Sequence, residues 1–201
     1  MINNIMMLSA GHYPKARGAC YPESGGPDAF CEHDEAQRWV SLIASQVREQ
    51  LPVVIVPTGP LEAKVAWMND YHPPTEHRVA LAAEVHFNSN EQRRGTGCET
   101  LYYPGSRRGL AAATMIQNAM AIIYRDRGVQ EGWYRQDKPG RVDYVGDVDG
   151  DEKLLAFLSP PRFPSVIIEP EFIFNQAVIE ATRTDACTLI SQAIIDFCRT
   201  T

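Results

Sequence analysis

A chain of 201 residues with 44% apolar and 22% charged side chains has the size and composition of one globular domain with a self-sufficient core. Its formal net charge of -6 argues against a nucleic-acid-binding surface, which needs a basic face. No stretch approaches the roughly 18 consecutive apolar residues of a membrane span, and residues 1–10 read as a first strand rather than a secretory leader.

In chain order, residues 3–9 form an apolar run that stops at Gly11-His12. Residues 13–34 are rich in Gly, Pro, Ser and Asp and read as a long loop, a feature that is usually functional inside a compact domain. Asp34 is a candidate N-cap for a helix carrying Trp39, Val40, Leu42, Ile43, Val47 and Leu51 at helical spacing. Residues 53–56 make a short buried strand, and Leu61 to Asn69 a second helix. Residues 80–87 and 98–103 read as strands, and 108–125 as an amphipathic helix. Residues 129–152 are acidic, Gly-rich and aperiodic, which suggests a surface insertion or a hairpin. Strands at 154–158 and 166–169 follow, then a helix over 176–199 with a break near Arg183. This alternation predicts an α/β fold: a single domain over 1–201, with a twisted, mostly parallel (mixed) sheet and helices on both faces.

The five cysteines form no Cys-x-x-Cys pair, and their odd number leaves at least one free thiol. Cys20 and Cys31 flank the Gly/Pro-rich loop; the sequence leaves open whether they bridge it. His33, His72 and His77 fall in loops and are expected to be solvated.

Four positions carry chemistry. His12 and His86 end apolar runs, Glu169 ends Val166-Ile167-Ile168, and Glu35 opens the first long helix. In an open α/β sheet, strand ends and helix starts share the edge where ligands bind. Two histidines and a glutamate with one open position make a catalytic zinc site, and a further glutamate beside it is a fitting general base. An unpaired carboxylate at the end of an interior strand would be costly, which singles out Glu169.

With these residues in place, the chain resembles the zinc-dependent N-acetylmuramoyl-L-alanine amidases over roughly residues 5–199. Gly11-His12 matches the family's opening Gly-His, and Glu35 its helix-start glutamate; Glu32 competes, but Val40, Ile43 and Val47 fit the helix when counted from Glu35. Glu84-Val85-His86-Phe87-Asn88-Ser89 matches the pattern Ser-x-His-x-Asn-Ser. Gly97-Cys98-Glu99 and Arg127-Gly128-Val129 match two further segments, and Glu169-Pro170-Glu171-Phe172 through Asn175 matches the closing Glu-x-Gly-Phe-x-x-Asn. Glu171 stands where the pattern has Gly, Lys64 where Leu-x-x-Arg has Arg, and the segment between Val129 and Leu154 is longer than usual.

The resemblance implies one Zn2+ held by His12, Glu35 and His86, with Glu169 as the general base. Asn88, Glu99, Glu171 and Asn175 are implied contacts to the ligand side chains or to the substrate. The implied substrate is peptidoglycan, glycan strand and stem peptide together, cut between the muramic-acid lactyl group and L-alanine. No nucleic acid, membrane insertion or separate wall-binding domain is expected. A bare catalytic domain without an export signal further suggests a phage lysis enzyme, cytoplasmic on synthesis and acting at the wall or periplasm after membrane breach. Two alternatives are a related zinc hydrolase of small N-acyl amino acids or peptides, and a non-catalytic wall-binding protein on the same fold.

Overall fold

The computed structural model describes residues 3–22, 26, 28–134, 153–154, 157–158 and 162–200. The first strand, β1 (Asn3–Ala10), leads through a small hairpin of β2 (Cys20–Tyr21) and β3 (Phe30–Cys31) into helix α1 (Glu32–Val47). Next come β4 (Val53–Ile55), α2 (Leu61–Asp70), β5 (His77–Val85), β6 (Cys98–Tyr102) and α3 (Arg107–Met120). The chain then forms β7 (Asp126–Glu131), the short pair β8 (Trp133–Tyr134) and β9 (Lys153–Leu154), β10 (Ser165–Glu169) and α4 (Gln176–Thr200).

Six strands make one sheet in the order β4-β1-β5-β10-β6-β7. The first four run parallel; β6 opposes β10, and β7 follows β6 in parallel. The expected mixed, mostly parallel sheet is therefore present. Because successive strand residues face opposite sides, the apolar runs feed two cores. Met6, Leu8 and Ala10 of β1 pack with Val166 and Ile168 of β10 under α1, α3 and α4. Met7, Ala82 and Ile167 face the other way, onto Val56, Met68 of α2, Phe157 and Leu158. Among the described residues, no helix is long and apolar enough to cross a membrane.

Three local expectations change. The last helix runs unbroken through Arg183. Residues 126–131 form the edge strand β7. Their polar sequence, Asp-Arg-Gly-Val-Gln-Glu, hides them from an apolar-run search, and the pairing with β6 fixes them instead. The remainder of the expected insertion, 135–152, lies outside the described residues, as do 155 and 156 of the strand expected at 154–158. Within 154–158, Leu154 pairs with Trp133 in β8–β9, while Phe157 and Leu158 form a turn.

Candidate active site

The adjacent parallel strands β1, β5 and β10 end together, at Ala10, Val85 and Glu169, so Gly11-His12, His86 and Glu169 share one edge of the sheet. The backbone N–H of Gly11 donates to Val85 O at 2.8 Å, and that of His86 to Ile168 O at 2.9 Å, which carries the ladder past the strand ends and sets His86 beside Glu169.

The third partner of the two histidines is Glu32, not Glu35. Glu32 Oε2 lies 3.0 Å from His12 Nε2, and Glu32 Oε1 lies 3.0 Å from His86 Nδ1. One potential ligand atom from each of the three residues falls within 4.8 Å of the others. The sequence reading placed the helix cap at Asp34, but the helix starts at Glu32, capped by Cys31 in an extended conformation. A disulfide joins Cys31 to Cys20 across the β2–β3 hairpin, which closes the alternative left open above. The first helical N–H groups are met by loop carbonyls: Glu32 N donates to Ala19 O and His33 N to Arg17 O. Helix starts leave such donors orphaned, so this loop supplies the cap that no side chain provides. The positive end of α1 also favours a carboxylate in its first turn.

Glu35 turns inward instead. Its carboxylate accepts from Trp39 Nε1 at 2.9 Å, from Arg38 Nη1 at 2.9 Å and from Arg183 Nη2 of α4 at 3.0 Å. It is fully buried at the α1–α4 contact and faces neither histidine. His33, expected in solvent, is buried in the same first turn, with Nδ1 2.8 Å from Gly11 O.

Two glycines make room for the trio. A Cβ on Gly11 would come within 2.6 Å of His86 Nδ1. A Cβ on Gly18 would come within 2.5 Å of the His12 ring and 2.7 Å of Glu32 Oε2, and Gly18 has φ +74°. His12 itself adopts φ 57°, a left-handed conformation uncommon for a side-chain-bearing residue and one that clusters at functional sites.

Electrostatics bind the cluster tightly. Burial pushes the Glu32 carboxyl up, but hydrogen bonds and charge from His12 and His86 outweigh it and hold the group well below the usual carboxylate range. Burial pushes His86 down, yet the charge of Glu84 and the hydrogen bonds to Glu32 and Glu84 raise it to about 10. Metal-free His86 is therefore an imidazolium held between two carboxylates. A dication that took that proton's place would meet two nitrogens and a carboxylate oxygen, the donor set of a catalytic zinc site. The residues fit the metal.

Glu84 is not among the site residues expected from the sequence. It is buried, with Oε2 2.9 Å from His86 Nε2 and Oε1 accepting from Lys64 Nζ and Ser9 Oγ, each at 2.8 Å. A charge inside Leu81-Ala82-Ala83-Glu84-Val85 was the available signal.

The other expected contacts separate. Glu99 sits directly opposite Glu169 across β6–β10 and pairs with Arg127 Nη2 at 3.1 Å. Asn88 is buried, and neither atom of its amide finds a partner among the described residues. Glu171 is spent within the chain: it accepts from Thr96 Oγ1 at 2.8 Å, Gly97 N at 3.0 Å and Asn175 Nδ2 at 3.0 Å. Glu171 and Asn175 thereby tie the 95–97 turn to the start of α4.

The fold has solved counterparts. An N-acetylmuramoyl-L-alanine amidase from Clostridium difficile 630 shares 16% identity over 100% of both chains, with a TM-score of 0.75. The catalytic domain of CD27L, an endolysin targeting Clostridia Difficile, shares 21% identity over 96% of this chain and 97% of that one, with a TM-score of 0.66. Cwp6 from Clostridium difficile shares 18% identity over 99% of this chain with a TM-score of 0.71, and this chain spans 29% of that protein's length. No curated protein sequence matches. These likenesses show the fold. Residues 6–198 match the family model described as N-acetylmuramoyl-L-alanine amidase, and the chain belongs to that family of enzymes.

Proposed function

We propose that this chain is a zinc-dependent hydrolase that cleaves the amide bond between the lactyl group of N-acetylmuramic acid and the L-alanine of the peptidoglycan stem peptide. The observation that carries the reading is the His12–Glu32–His86 trio, with facing nitrogens and oxygens at 3.0 Å, at the sheet edge that also holds Glu169. His12, Glu32 and His86 would hold the metal. Zinc in such a site supplies Lewis acidity: it polarises a carbonyl and lowers the pKa of water from about 15.7 toward about 7.

The protein's own groups supply the rest. Glu169 ends β10 beside His86 and is partly exposed, so it is placed to take a proton from the attacking water and return it to the leaving alanine nitrogen. Arg127, paired with Glu99, offsets the like charge opposite Glu169. The test is chelation of the purified protein, re-addition of Zn2+, and turbidity measured on purified peptidoglycan. Activity lost and restored with the metal, with new N-terminal alanine in the product, supports the reading; activity indifferent to chelation defeats it.

The biological setting we propose is phage lysis, with the enzyme made in the cytoplasm and reaching the wall after membrane breach. Its support is the fold likeness to the CD27L endolysin catalytic domain. Expression in a bacterial host with and without a co-expressed membrane-permeabilising protein tests it. Lysis that depends on permeabilisation is expected; lysis by the enzyme alone would count against this setting.

A further inference from the structure

His86 has two ring nitrogens and two carboxylate neighbours. Nδ1 faces Glu32 and, beyond it, His12; Nε2 lies 2.9 Å from Glu84 Oε2. Residues two apart on a strand leave it on the same side. Glu84 leaves β5 on the side of α2, and Lys64 reaches in from that helix to meet Glu84 Oε1 at 2.8 Å; His86 follows two residues on, just past the end of β5. Lys64 also donates to Ala10 O, the last residue of β1. Ser9, directly opposite Glu84 in the β1–β5 register, donates to the same Oε1 at 2.8 Å. Ser9, Lys64 and Glu84 are all buried, with 0%, 3% and 2% of their surface accessible.

We infer that Glu84, anchored by Lys64 and Ser9, is the positioning residue that fixes His86 as the Nε2–H tautomer and so aims the lone pair of Nδ1 at the metal. The inference rests on the zinc reading above. A neutral imidazole carries one proton, and the acceptor on one nitrogen decides which nitrogen is left to ligate. With Glu84 accepting from Nε2–H, only Nδ1 can bind a metal, and it faces the other two ligands. Lys64 makes this arrangement tolerable, because an unpaired carboxylate at this depth would be strongly disfavoured. Glu84 occupies the position of the first Ser in the pattern Ser-x-His-x-Asn-Ser and Lys64 that of the Arg in Leu-x-x-Arg, and the two meet in one ion pair. Each accounts for the other: a buried glutamate here requires a cation, and Lys64 places its ammonium against it.

The test measures zinc affinity by competition with a chromophoric chelator at neutral pH, on wild-type protein, Glu84→Gln, and Glu84→Gln combined with Lys64→Met. The double variant removes the buried pair together and keeps the core neutral if the single variant folds poorly. Kd for zinc is expected to rise about 10- to 100-fold in the variants, the usual effect of losing a carboxylate behind a ligating histidine. Unchanged affinity in a folded variant overturns the inference. In parallel, long-range nitrogen NMR of zinc-loaded wild-type protein reads the His86 tautomer with no mutation: Nδ1 ligated and Nε2 protonated supports it, and the reverse overturns it. Wild-type protein that binds no zinc defeats the reading beneath and this inference with it. Tight wild-type binding with an unchanged variant defeats this inference alone.

Discussion

Arg183 of α4 holds Glu35 of α1 across the helix–helix contact, with Nη2 3.0 Å from Oε2. The pair makes Glu35 a structural anchor, while Glu32, one turn earlier, faces the two histidines. The two glutamates should therefore fail differently. Glu35→Ala strands Arg183 and removes the acceptor of Trp39 Nε1. Losing one partner of a buried pair costs about 3–5 kcal/mol, and Arg183, still partly exposed, puts this loss near the lower figure. Zinc content should stay stoichiometric. Glu32→Ala and His86→Ala should each lose bound zinc, since two ligands rarely hold it in a three-ligand site. Denaturant midpoints and metal analysis on the three variants check this; zinc lost from Glu35→Ala and retained in Glu32→Ala would restore the ligand set expected from the sequence.

Glu169 should be separable from metal binding. Glu169→Gln preserves size but accepts no proton. Zinc should remain, and the rate should fall by at least about a hundredfold, within the range for general acid–base loss. A variant that turns over at nearly the parent rate would move the role elsewhere. Glu99, directly opposite across β6–β10, is then the next carboxylate to test, because Glu171 is consumed by Thr96, Gly97 and Asn175.

The pH dependence of the metal-free protein follows from His86. Its folded-state pKa is raised from 6.5 to about 10, so the folded state binds the proton more tightly than the unfolded chain. The resulting stability is fully present below the unfolded value and is lost as pH rises through the folded one. Metal-free protein should thus lose stability between about pH 6.5 and 10. Zinc-loaded protein should lack this slope, because the metal has displaced the proton. Denaturant midpoints across that range, with and without zinc, provide the measurement. A flat metal-free profile would mean that His86 is not the imidazolium bridge between Glu32 and Glu84.

Much of this site was legible in the sequence because β1, β5 and β10 are continuous apolar runs, and such runs end where the chain must leave the sheet. His12, His86 and Glu169 are those endings. Glu32 was misjudged because its helix starts where backbone carbonyls of residues 17 and 19 cap it, and no local residue type reports a cap supplied by a loop. Glu84 was passed over for a related reason. Its partners Ser9 and Lys64 lie 75 and 20 residues away, so its role exists only once β1, β5 and α2 have assembled. Strand β7 stayed hidden because an edge strand with polar residues follows neither the apolar-run nor the alternation pattern.

The long segment after β7 offers the last test. Its three aromatics, Trp133, Tyr134 and Tyr144, have the chemistry of a wall for the substrate groove, since aromatic faces suit sugar rings. The sheet places the root of this segment elsewhere. Strand β6 runs opposite to β10, so Glu99 lies at the Glu169 edge and Tyr102 lies beside Val166, near the other edge. Strand β7 follows β6 and ends with Glu131 beside Tyr102. The segment therefore departs from the edge opposite His12, Glu32 and His86. It also leaves and returns at one place, because Trp133 pairs with Leu154 and Tyr134 with Lys153. A short Gly-Ser turn joining Tyr134 to Lys153 should close that hairpin without disturbing the sheet. The shortened protein should keep its zinc, its denaturant midpoint and its rate on whole sacculi. A drop of about tenfold on sacculi, equivalent to roughly 1.4 kcal/mol of transition-state stabilisation, with zinc and stability unchanged, would show that the segment reaches round to the substrate after all.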